Sequence, residues 1–392
     1  MKNTRKKILA VFGTRPEAIK MAPLVNLLRR TREYFTVKVC VTAQHRQMLD
    51  EVLEIFKIIP DYDLSVMQDG QSLYHITAAA VSRMEGVLKK EKPDLVLVHG
   101  DTTTTFAAAL SAFYEKIPVG HVEAGLRSGD ISRPFPEEAN RILTDSVTTL
   151  FFAPTAASKA ALLKQNLSRE NIFITGNTVI DALREVAGGK SGFTNGQLKK
   201  HPALKPGSGK RVVLLTAHRR ENFGAAMEGM FKAFAGLAAK YPDTEWFYPV
   251  HLNPRVAAPA RRILGGIKNI TLLPPLDYLN MVNLMKLSYI VVTDSGGLQE
   301  EAPSLGKPVL VLRDVTERPE AVKYGMARLA GTNAGKIFRE IETLLTDKKM
   351  YQRMSRAVNP YGDGQASRRI VEAIKYYFGI NKARGADFKP KR

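Results

Sequence analysis

Carboxylates, histidines and arginines recur just after the short apolar runs of this sequence. The run "LVLV" leads to His99, Gly100 and Asp101, and then to four threonines, Thr102 to Thr105. The run "IPVG" leads to His121 and Glu123, and "RPFPEEANR" then supplies Glu137, Glu138 and Arg141, with Pro136 opening a helix. Carboxylates gathered at one sheet edge suit proton transfer by paired acids and bases. Any one of them also suits the capping of the next helix, and the threonines are natural capping residues. Glu138 fits a structural role, three residues before Arg141 on a helix. Arg127 in "GLRSG" is placed to hold one carboxylate ionised.

A second set of residues suits an anion. "ILAVF" is followed by "GTRPEAIK", which has the position of a dinucleotide-binding loop but lacks G-x-G-x-x-G. Arg15 offers a planar fork of donors to phosphate, Pro16 opens a helix, and Lys20 lies on that helix. The plainer reading is that Pro16 and Glu17 only start the helix and Arg15 is solvated. "LLTAHRRENFG" places His218, Arg219 and Arg220 after a strand, and "WFYPVHLNPRV" places His251 ahead of Asn253 and Arg255. The strongest element is "VVTDSGGLQEEAPSLGKPVLVLRDVTERPEA". Its strand ends at Thr293. Ser295, Gly296 and Gly297 then bring backbone N–H groups to a phosphate at a helix N-terminus. Glu300 and Glu301 lie one turn in, where either could accept hydrogen bonds from ribose hydroxyls, and Arg318 is set to bind the same diphosphate. The plainer alternative is a glycine-opened helix with solvated glutamates.

These residues need a scaffold that presents strand ends. β-branched runs alternate with helical stretches such as "RPEAIKMAPLVNLLRRTRE", which predicts parallel sheets with helices on both faces. The strands expected first are "KILAVFG", "TVKVCVT", "LVLVHGD", "IPVGHVEA", "TTLFFAP" and "IFITGN"; a second series is "RVVLLTAH", "TEWFYPVH", "NITLLPP", "YIVVTDSGG" and "PVLVLRD". The fold class is therefore α/β, with two doubly wound Rossmann-like domains facing a cleft, and ligands at the carboxyl ends of strands. The 392 residues suit two domains. The boundaries read as 1–185 for the first, with the carboxylates, rejoined by a C-terminal helix at 361–380. They read as 206–360 for the second, a Gly-, Lys- and Pro-rich linker at 186–205, and a disordered basic tail at 381–392.

Composition is that of an ordinary globular protein, 44% hydrophobic and 24% charged. No apolar run is long enough to span a membrane, and Ile8 to Phe12 is too short for a signal-peptide core. The single cysteine, Cys40, excludes an internal disulfide and a cysteine-based metal cluster, and reads as a buried hydrophobe. Cytoplasmic location is the default. The formal charge of +20 permits nucleic-acid binding. The basic residues are dispersed except at the two ends, and no nucleic-acid motif accompanies them, so phosphate-bearing small molecules are the favoured partners.

The series "FGTRPEAIKMAPL", "QHRQML", "VHGDTTTT", "HVEAGLRSGD", "PFPEEANR", "TAHRREN", "PVHLNP" and "DSGGLQEEAPSLGKPVLVLRDVTERPEA" resembles, along most of the chain, the non-hydrolysing UDP-N-acetylglucosamine 2-epimerases. The resemblance implies the glycosyltransferase-B fold and interconversion of UDP-N-acetylglucosamine and UDP-N-acetylmannosamine without a cofactor. It also implies a homodimer and a place in cell-surface polysaccharide synthesis. By the same resemblance Arg15, Lys20, His218, Ser295, Gly296, Gly297, Glu301 and Arg318 would bind the UDP-sugar. Asp101, Glu123, Glu137 and His218 would be catalytic. A second substrate molecule would sit near Gln44, Gln47 and His251, although Gly70 in "QDGQSL" stands where some members carry Arg. Which carboxylate serves which face of C2 stays open. The alternatives are a glycosyltransferase of the same fold, a hydrolysing epimerase, and a basic nucleic-acid-binding protein.

Overall fold

The structure is a computed structural model that describes residues 5–42, 46–66, 70–189, 191–316 and 318–390. It divides into two compact units, Met1–Ala182 with Tyr361–Lys389, and Leu183–Pro360 with Pro390–Arg392.

The first unit holds a seven-stranded parallel sheet. Its strands are β1 (Lys6–Phe12), β2 (Phe35–Val41), β3 (Tyr62–Asp63), β4 (Leu95–His99), β5 (Val119–Val122), β6 (Leu150–Ala153) and β7 (Ile172–Ile174). Their order is β3-β2-β1-β4-β5-β6-β7. All five residues of β4 are buried, as expected for a strand covered on both faces. The chain returns in helix Ala366–Tyr377, which lies against helix Arg15–Arg30.

The second unit holds β8 (Arg211–Thr216), β9 (Thr244–Pro249), β10 (Ile270–Leu273), β11 (Ile290–Thr293), β12 (Val309–Val311) and β13 (Ala327–Leu329), all parallel. Their order is β10-β9-β8-β11-β12-β13. Its core centres on Phe231, Phe234, Trp246 and Tyr248, each buried. The polar ends of the two large aromatics are satisfied, Trp246 Nε1 by Thr244 at 2.9 Å and Tyr248 Oη by the Ala217 carbonyl at 2.7 Å. The second bond pins the chain one residue before His218.

In both sheets the order in which strands are added reverses beside the first strand, between β1 and β4 and between β8 and β11. At such a switch point two loops diverge at the carboxyl ends of neighbouring strands and leave room for a ligand. The loop residues there are Gly13 to Arg15 with Gly100 and Asp101 in the first unit. In the second they are Ala217 and His218 with Asp294 and Ser295.

Two features depart from the sequence reading. The stretch expected as a linker carries helix Gly196–Lys200, with Leu198 buried, and Asn280 accepts from the Thr194 and Asn195 N–H groups. The expected disordered tail is ordered over residues 381–389. Phe388 is buried, its N–H donates to the Ile174 carbonyl at 2.7 Å, and Asp387 pairs with Lys159 at 2.8 Å. Phe388 and Asp387 together anchor the run.

Candidate functional site

Each unit presents one group of polar side chains at its switch point. In the first, the threonines after β4 are structural. Thr102 caps helix Thr103–Tyr114 through the Thr105 N–H at 3.2 Å, and the Thr104 hydroxyl meets Thr42 at 2.8 Å. The Thr102 and Thr105 hydroxyls donate to Glu17 Oε1 at 2.6 and 3.1 Å, while Glu17 Oε2 accepts from the N–H groups of Gly13 and Thr14 at 3.0 and 2.7 Å. Buried Glu17 therefore stitches the loop after β1 to the loop after β4. Burial raises its pKa, against the pull of those bonds. Gly13 is required here, since a Cβ would lie 1.9 Å from the Thr42 hydroxyl.

On this stitched base stand the candidate carboxylates. Asp101 is half-buried, and its Oδ2 takes two bonds from Arg141, at 3.0 Å from Nε and 2.5 Å from Nη2. Arg141 also reaches Glu138 at 2.8 Å, the pairing expected from their spacing. Glu123 is buried in the left-handed region, φ 67°, and its Oε2 takes Lys20 Nζ at 2.5 Å and Asn177 Nδ2 at 2.7 Å. A non-glycine residue held at positive φ stores strain, and such strain gathers at functional sites. Glu137 is the first residue of helix Glu137–Ser146 and half-buried. Arg15 is half-buried and has no ion pair among the described residues, which leaves its guanidinium for an anion. Lys20, expected on the phosphate, bonds to Glu123.

The sequence reading missed two buried residues of this group. His99 is 3% exposed, and neither ring nitrogen has a hydrogen-bond partner among the described residues. Its Nε2 stands 3.9 Å from Glu123 Oε2, and burial pushes its pKa down to about 3. The carboxylate held by Arg127 is Asp145, at 2.5 Å, which no motif had singled out.

In the second unit the missed residue is Asp294. It is fully buried, and its Oδ2 accepts from the N–H groups of His218 and Arg219 at 2.7 and 2.8 Å. His218 Nδ1 lies 3.1 Å from Oδ1. Burial lowers the His218 pKa, the neighbouring Asp294 notwithstanding, so the ring is neutral near pH 7. Its face stacks on His251, centroids 5.7 Å apart and 9° from parallel.

Ser295 stands at the N-cap position of helix Gly296–Ser304 without a side-chain capping bond, and Gly297 is exposed. A Cβ added at Gly296 would meet nothing within 4 Å, so packing does not demand glycine there. What the glycine provides is open approach to the helix N-terminus, where N–H groups and the helix dipole favour phosphate. Glu301 is buried, accepting from Tyr278 at 3.0 Å, and Arg318 is anchored by a hydrogen bond from Nε to buried Glu300. A cavity of about 320 Å³ opens at the carboxyl ends of β9 and β10, walled by His251, Arg261, Pro274 and Pro275 among others. Gln44 and the side chain of Gln47 lie outside the described residues. Gly70 is exposed with φ 69°.

The strand order of both sheets, with helices between, places the chain among α/β proteins of two Rossmann-like units, the glycosyltransferase-B type. The family model described as UDP-N-acetylglucosamine 2-epimerase matches residues 28–375. The UDP-N-acetylglucosamine 2-epimerase of Escherichia coli is 54% identical over 372 residues, 94% of this chain and 98% of that protein. Among solved structures, that of the Neisseria meningitidis UDP-GlcNAc 2-epimerase bound to UDP-GlcNAc is 49% identical, with a TM-score of 0.85, over 94% of this chain and 100% of the other. MnaA of S. aureus, solved with UDP, is 48% identical with a TM-score of 0.86, over 98% and 100%. The chain belongs to the UDP-N-acetylglucosamine 2-epimerase family, the one its motifs had suggested.

Proposed function

We propose that this chain interconverts UDP-N-acetylglucosamine and UDP-N-acetylmannosamine by eliminating UDP and adding it back at C1, with a proton returned to the other face of C2. The C2–H is not beside a carbonyl, so no carboxylate can remove it unaided. The C1–O bond must begin to break first, its electron pair leaving with the diphosphate. Positive charge then spreads over C1 and the ring oxygen, the C2 proton becomes acidic, and a 2-acetamidoglucal results. Reversal, with a proton delivered to the opposite face of C2, gives the epimer.

The observation that carries this reading is the division of chemistry between the two units. The second has an open helix N-terminus at Ser295 to Gly297, the neutral imidazole of His218, and Arg318, which suit the stabilisation of a departing diphosphate; the first has Arg15 as a further anion-binding group. The first has Asp101 and Glu123, each bonded to a cation, and Glu137. Ionised carboxylates stabilise an oxocarbenium-like centre and accept its neighbouring proton. Glu301 is the candidate for the ribose hydroxyls. The same reading takes the working form as a cytoplasmic homodimer in cell-surface polysaccharide synthesis, in keeping with family membership, and takes Gln44, Gln47 and His251 as a second UDP-sugar site.

The test is proton NMR of the purified chain with UDP-N-acetylglucosamine alone. Appearance of UDP-N-acetylmannosamine supports the reading. Free N-acetylmannosamine would mark a hydrolysing enzyme, and turnover only with an added acceptor would mark a glycosyltransferase.

A further inference from the structure

Behind Asp101 lies a buried chain of side chains to which no role has been given above. His121, fully buried on β5, bonds through Nε2 to the Gly100 carbonyl at 2.7 Å and through Nδ1 to Asp145 Oδ1 at 2.6 Å. Asp145 is buried too, and its Oδ2 takes Arg127 Nη2 at 2.5 Å. Arg127 is in turn held by its own neighbour's carbonyl, Leu126 O at 2.7 Å, and by Gln165 at 2.8 Å. A carbonyl oxygen can only accept, so Nε2 carries the proton of its bond. Burial alone would raise the Asp145 pKa, yet His121 and Arg127 outweigh it and hold the carboxyl below its ordinary range. The ring is thus bonded on both sides, and its plane is fixed at both ends.

What this chain fixes is one peptide plane. Gly100 sits in the left-handed region, φ 70°, a conformation open to glycine and strained for most other residues. Its N–H donates to the Val122 carbonyl at 2.9 Å and its carbonyl accepts from His121. The peptide that carries that carbonyl ends at Asp101. On the other side, the Asp101 carbonyl accepts from Asn140 Nδ2 at 2.9 Å, and its carboxylate is clamped by Arg141. Both peptide groups flanking Asp101 are therefore tied to side chains of other elements, β5 on one side and helix Glu137–Ser146 on the other.

We infer that His121, backed by Asp145 and Arg127, is a positioning residue that aims Asp101 by holding the Gly100 carbonyl. The inference rests on the reading of Asp101 as an acid/base group at C2. The cost of losing such an orienting partner is known from other sites to be about 10- to 100-fold in activity, and a shift of about 1 Å in a reacting group costs on that order too.

The experiment measures kcat, KM, UDP affinity and melting temperature for His121→Phe, His121→Gln and Asp101→Asn. Phenylalanine fills the volume but leaves Gly100 without its donor, while glutamine can still donate to that carbonyl. The expected order of kcat is wild type, then His121→Gln, then His121→Phe lower by at least about tenfold, with KM and UDP affinity unchanged. Wild-type kcat in His121→Phe beside an inactive Asp101→Asn would overturn the positioning role while leaving Asp101 in place. A loss of UDP affinity equal to the loss of kcat would overturn it as well, since a general structural defect does that. Full activity in Asp101→Asn would instead remove the reading on which the inference stands. If His121→Phe does not fold, His121→Asn takes its place, since its shorter amide can still meet Asp145 but not the Gly100 carbonyl: reduced kcat at unchanged KM supports the role, and undiminished kcat refutes it.

Discussion

The acids of the first unit differ in what surrounds them more than in what they are. Asp101 and Glu123 are each bonded to a cation, whereas Glu17 is bonded only to hydroxyls and N–H groups and serves as a stitch. Replacing Asp101, Glu123 or Glu137 singly by its amide is expected to lower kcat by at least about 100-fold, the usual reach of general acid–base catalysis, with UDP affinity preserved; calorimetric titration with UDP separates the two. His99 gives a prediction on stability. Its folded pKa is depressed from 6.5 to about 3, so the native ring stays neutral where the unfolded one takes a proton. Stability is therefore lost as pH falls below about 6.5, with a slope from this residue approaching about 1.4 kcal/mol per pH unit. Glu123, Lys20 and His121 face the same ring and bias it. Urea denaturation at pH 6.5, 5.5 and 4.5 should show a shallower acid loss in His99→Gln than in the wild type; parallel curves would contradict the account.

At the level of elements, the strand ends carried most of the signal. Asp101, Glu123, His218 and Ser295 to Gly297 are legible because an apolar run followed by a polar residue marks the carboxyl end of a buried strand. Asp294, Asp145 and His99 were not, for a physical reason. Their significance lies in partners 76, 24 or 18 residues away that only the folded sheet brings near, or in the lack of any. Strands β3 and β13 were likewise missed, because they bury only Ala327 between them and present no apolar run. Two substitutions separate ligand function from folding here. Gly296→Val places bulk in open space at the helix N-terminus, so UDP affinity should fall at least about tenfold through lost phosphate contact while the melting temperature stays near wild type. Glu17→Ala should do the reverse damage. It strips acceptors from two N–H groups and two hydroxyls and should cost about 2–4 kcal/mol in chemical denaturation.

At the scale of the whole molecule, the C-terminal segment is part of the first unit. Residues 384–388 run beside β7, where the Arg384 side chain bonds to the Ile172 carbonyl, Asp387 to the Ile174 N–H, and the Phe388 N–H to the Ile174 carbonyl. An edge strand left bare is a template for association. Deleting 381–392 should therefore lower the melting temperature by about 5 °C and promote aggregation, read by calorimetry and light scattering; an unchanged transition would show the segment to be dispensable. The +20 charge belongs to this scale too. If it serves solubility and phosphate ligands, labelled duplex DNA should show no saturable binding at about 0.15 M salt, and tight, steeply salt-dependent binding would revive the nucleic-acid reading. No helix among the described residues is long and apolar enough to cross a membrane.

In the proposed mechanism the bond to UDP breaks at C1 while a carboxylate of the first unit takes the proton from C2. Running the reaction in D₂O tests both halves at once. The account predicts that each molecule of UDP-N-acetylmannosamine formed carries solvent deuterium at C2, and that Asp101→Asn, Glu123→Gln and Glu137→Gln slow this exchange together with turnover. Product that keeps its original C2 hydrogen would contradict it.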